Sequence, residues 1–165
     1  MKRKKIKEKS GVTLISLAIT VVVIIIIAGI AVYTGKETIQ KAKLGELRTN
    51  MLLIQAKAKE YAEEANFKMG PTPDDSKKET VRAEVYEGEA KLQKATDITS
   101  PNSIPLSECY KVTQETLENW GLEKIKIKDD ENYLIKFDDT NATVEIYNTS
   151  GYEGKYSLTE IDNIQ

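Results

Sequence analysis

The 165-residue chain predicts an α+β fold in which a long N-terminal helix packs on a small C-terminal antiparallel sheet, and three observations predict it. Residues 12–33 carry no charge. Residues 44–65 repeat apolar side chains at spacings of three and four, and beyond residue 120 the period shortens to two between turn clusters. A helical first part and a sheet-forming last part follow from that change of period.

The chain opens on a basic segment, residues 1–11, in which Lys2, Arg3, Lys4, Lys5, Lys7 and Lys9 stand against Glu8 alone. The uncharged stretch "VTLISLAITVVVIIIIAGIAVY" follows. As a helix, residues 12–33 extend about 33 Å at 1.5 Å per residue, close to the hydrocarbon thickness of a bilayer. Its β-branched residues are poor helix formers in water, but lipid offers the backbone no other partner, so a transmembrane helix is expected. Cations ahead of a span hold that end in the cytoplasm, which places the remainder outside the cell membrane as a single-pass protein. A discarded export signal has a shorter apolar region with its small-residue cut site after it; here "KSG" comes before.

Residues 34–66 read as an amphipathic continuation of that helix, with Leu44, Leu47, Met51, Ile54, Ala58, Tyr61 and Ala65 forming one stripe. A stripe of about three heptads is short for a coiled coil, so an internal sheet is its expected partner. Residues 67–165 form the extracellular domain. "NFKMGPTPDDSKKE" breaks the helix with Gly70, Pro71 and Pro73. Residues 76–95 are rich in helix formers yet contain the alternation "VRAEVYEG", and are expected to be partly helical. "TSPNSIPLSE" is a second loop. Thr113 caps a short helix carrying Leu117 and Trp120 and stopped by Gly121. "KIKIK", "NYLIKFD" and "TVEIYN" then predict an antiparallel meander turned by "DDEN" and "DTNA", and residues 156–161 a last strand or short helix.

Composition narrows the function. Whole-chain charge is −2, but six of the 24 cations and one of the 26 anions fall in the first nine residues, leaving 18 cations against 25 anions beyond them. So acidic an exterior disfavours nucleic acid as a partner. There is no histidine, no nucleophile elbow and no phosphate loop, and no carboxylate pair is singled out by spacing, so no enzyme activity and no cofactor are expected. The one cysteine, Cys109, reads as a core residue. "NAT" at 141 and "NTS" at 148 match the glycosylation pattern but read as turns, and Tyr133, Tyr147, Tyr152 and Tyr156 as ordinary sheet residues. Asp129, Asp130 and Glu131, with Asp138, Asp139 and Asn141 in the next turn, are weak oxygen-ligand candidates, since their spacing fits no EF-hand loop. Solubility and turn chemistry account for them, and no metal is expected.

The boundary at Gly11 resembles that of the type IV prepilin family, which includes type II secretion pseudopilins and competence pilins. Its members have a short basic leader ending in glycine, then an apolar helix opening with a hydrophobic residue, Thr and Leu; here "KSG" precedes "VTLISL". The resemblance covers about the first third of the chain. It implies cleavage after Gly11 by a membrane prepilin peptidase, N-methylation of Val12, and packing with other pilin-like subunits on a pilus assembly platform. It also implies the pilin layout of helix first and sheet last, and some members bind calcium near such acidic turns. One residue departs from the pattern. Most members carry a glutamate five residues after the cut, which pairs with the amine of a neighbouring subunit in the filament, and Ser16 stands there. Members of Gram-positive type often have an uncharged residue at this place. The departure points away from a major pilin and towards a minor component of a type IV pilus, type II secretion or DNA-uptake pseudopilus. The competing reading is a solitary membrane-anchored surface protein with an extracellular binding domain.

Overall fold

The computed structural model describes residues 10–99, 103–139, 141 and 143–164. The basic leader assigned to residues 1–9 lies outside them. The chain divides into two compact units between Lys43 and Leu44.

The first unit holds the beginning of helix α1, whose full bounds are Ser10–Met69. Described side chains here are Leu17, residues 19–26 and residues 38–43. Leu17, Ile19 and the valines and isoleucines of 21–26 are each 45–64% exposed. Thr20, among them, turns its hydroxyl back to the carbonyl of Leu17 at 2.8 Å, so its polar atom is satisfied within the helix.

The second unit begins where the stripe begins. Leu44, Met51, Ile54, Ala58, Ala62, Ala65 and Met69 are buried, and Leu47 and Tyr61 pack half-buried beside them. The helix runs to Met69, beyond the expected end at 66, because the stripe continues through Met69. Gly70, at φ +75°, then closes it by donating to the carbonyl of Asn66.

The expected loop is short, since Asp74 caps a second helix, α2 (Asp75–Arg82), by accepting from the amide of Lys77. Residues Ala83–Glu89 continue α2 as a π-helical segment. Its wider turn suits the burial pattern: Val81, Val85 and Tyr86, and Ala90 are buried at steps of four and five. The region 76–95 is thus helical through 89, and "VRAEVYEG" forms no strand.

Five strands follow: β1 (Gln93–Lys94), β2 (Cys109–Val112), β3 (Tyr133–Asp138), β4 (Thr143–Tyr152) and β5 (Lys155–Ser157). They form one antiparallel sheet in sequence order. Alternation sorts its faces. Tyr110, Val112, Tyr133, Ile135, Val144 and Ile146 share one core with the α1 stripe, and Gln55 of α1 donates to the carbonyl of Val144 at 2.9 Å. Cys109 and Leu134 look the other way, into a smaller cluster with Ala95 and Ile104.

One expected strand needs correction. "KIKIK" is not a strand: Ile125 is buried and Ile127 half-buried, as alternation requires, but the backbone there bonds the side-chain amide of Gln114 at 3.3 and 3.4 Å. The strand at that place in the sheet is β2, four residues too short for a period to show. It runs into helix α3 (Gln114–Asn119), which Thr113 caps as expected, with Gly121 beyond its end at φ +72°. The tail takes both expected forms, β5 and then helix α4 (Leu158–Asp162), capped by Ser157 and Glu160 in a reciprocal box.

Candidate functional site

Gly11, Val12 and Ser16 lie in the backbone of α1, one, two and six residues from its start, and their side chains lie outside the described residues. The same holds for most of the stretch 12–33. Among the described residues no helix is long and apolar enough to cross a membrane. The described part of the stretch nonetheless has a clear chemistry. Eight consecutive or near-consecutive aliphatic side chains stand exposed around the whole helix, and a helix that is apolar all round needs cover that water does not supply.

The acidic residues are not gathered into one site. Asp129, Asp130 and Glu131 precede β3, whereas Asp138, Asp139 and Asn141 follow or end it, about 20 Å away at ~3.3 Å per strand residue. Asp129 and Asp130 are exposed. Glu131 is buried and accepts from the amide of Asn148 at 2.7 Å; the carbonyl of that amide takes the backbone N–H of Ser150 and of Gly151, both at 3.0 Å. Asn148 is therefore the organiser of the irregular end of β4, and its complete burial is at odds with modification there. Asp138 takes the side-chain amide of Asn141 at 2.8 Å. Asp139 accepts from Arg82 Nε at 2.7 Å and from the Tyr86 hydroxyl at 3.0 Å. Each carboxylate near β3 is thus committed to a neighbour in the chain or to solvent, and among the described residues no three His, Cys, Asp or Glu side chains meet as a metal cluster.

The Asp139 contacts tie α2 and the π-helical segment to the sheet. The Tyr86 ring stacks on Phe137 with centroids 3.8 Å apart and 7° between planes, and Tyr110 meets both rings edge-on. Burial, then the neighbouring Asp139 carboxylate, raises the Tyr86 phenol well above its ordinary range. Tyr133 is likewise buried rather than displayed, and Tyr147, Tyr152 and Tyr156 are half-buried. Cys109 is buried, and desolvation pushes its thiol up to about 11. A thiol so placed is a packing residue, not a nucleophile.

A cavity of about 1130 Å³ opens at the end of α1, between Phe67, Pro71 and Pro73 on one side and Arg82, Lys136 and Phe137 on the other. Phe67 is 89% exposed at its rim. The cations inside are engaged, Arg82 with Asp139, Lys136 with Glu108 at 2.5 Å and Lys78 with Asp75 at 3.3 Å. Neither this cavity nor the Asn148–Glu131 pair is visible from periodicity, since both depend on residues brought together from separate elements.

Comparison of the chain with protein-family models, with curated proteins and with solved structures finds no match.

Proposed function

We propose that this chain is a pilin-like structural subunit, without enzymatic activity, held in the cell membrane by residues 12–33 after a prepilin peptidase removes the basic leader at Gly11. In this reading Val12 becomes the methylated N-terminus, the domain beyond the membrane is extracellular, and the protein serves as a minor component of a type IV pilus, type II secretion or DNA-uptake pseudopilus. The observation that carries it is the order at the N-terminus: six cations, Gly11, then 22 residues without a charge. Two findings support it. The described aliphatic side chains of that stretch are exposed all round the helix, as suits a surface covered by lipid or by neighbouring subunits. The α+β unit, with an amphipathic helix laid on an antiparallel sheet, has the helix-first, sheet-last order the reading calls for.

Ser16 favours a second reading, a solitary single-pass anchor with an extracellular binding domain. A subunit without a carboxylate there has nothing to balance a neighbour's amine in lipid. Co-expression with a membrane prepilin peptidase tests the processing step. The protein should shorten by the leader, and Gly11→Val should stay full length; equal mobility of both with the peptidase present contradicts the proposal. Co-isolation with a pilus assembly platform then separates a filament subunit from a solitary anchor.

A further inference from the structure

We draw no further inference here: the strongest candidate, the cavity at the end of α1 rimmed by the exposed Phe67, carries nothing because Arg82 and Lys136 within it are already paired inside the chain and nothing in the structure shows what covers its apolar rim.

Discussion

Arg48 donates from Nη2 to the carbonyl of Ile161 at 2.9 Å, joining two residues 113 positions apart. The same nitrogen reaches the carbonyls of Asp162 at 3.3 Å and Ile164 at 3.0 Å, and Nε lies 3.2 Å from the Asp162 carboxylate without the alignment of a hydrogen bond. A guanidinium there answers the carbonyls that a helix leaves without partners at its C-terminal end. Because α4 has only five residues, tertiary contacts rather than propensity hold it, with Leu158 and Ile161 buried on the α1 core.

Arg48→Ala should therefore release the C-terminal segment. The side chain is 30% exposed, so water replaces part of what is lost, and the expected destabilisation is about 1–2 kcal/mol. Urea unfolding followed by the single tryptophan, Trp120, measures it. Hydrogen exchange should quicken at residues 158–164 first; unchanged exchange there contradicts the clasp.

At Gly151 the backbone stands at φ +57°, and an added Cβ would lie 2.4 Å from the Lys155 carbonyl oxygen and 2.6 Å from Cδ1 of Tyr156. Gly151→Ala combines left-handed strain with a clash against backbone, for a cost on the order of 2–5 kcal/mol. Gly121 is the control. Its φ is +72° with nothing within 4 Å of the added atom, so Gly121→Ala should cost only about 1–2 kcal/mol. Equal losses in thermal unfolding would show that the end of β4 at Gly151 is not packed on β5 as tightly as described.

The buried hydroxyls and the thiol set a direction for alkaline stability. Burial raises Cys109 from 9.0 to about 11 and Tyr110 from 10.0 to about 12, and it raises Tyr86 and Tyr133 as well. In each case the unfolded chain gives up its proton first, so above the unfolded value it binds fewer protons than the folded chain. Stability is then fully present below about pH 9 and falls as pH rises towards 12. Lys68, raised chiefly by its bonds to Glu89 and Glu84, works in the same direction. The phenolate absorbance of the buried Tyr86, Tyr110 and Tyr133 should appear together with the loss of folded structure; smooth titration of all eight tyrosines near pH 10 in a still-folded protein contradicts it.

What the sequence made legible follows from what period reports. The stripe of Leu44, Met51, Ile54, Ala58 and Ala65 is readable because one face of α1 from Leu44 onward is buried in a single core, which the sheet shares with the shorter helices. Alternation at Ile125 and Ile127 reported burial correctly and pairing wrongly, because a side-chain amide can take the place of a neighbouring strand. Strand β2 offered four residues, three of them buried, which is too few to show a period. Arg48 with Ile161, Asn148 with Glu131 and Asp139 with Tyr86 join residues 113, 17 and 53 positions apart, and local pattern carries no trace of such pairs. The proposed Gly11 boundary is the reverse case, read from the order of residues alone.

The decisive measurement is the mass of the N-terminal peptide of the protein extracted from the membranes of cells that carry a prepilin peptidase. Cleavage after Gly11 with retention of residues 12–33 predicts a peptide beginning at Val12 and heavier by one methyl group. A peptide beginning at Met1 or Lys2 would show that the leader stays, and one beginning beyond Tyr33 that the apolar helix is discarded; either contradicts the proposed subunit.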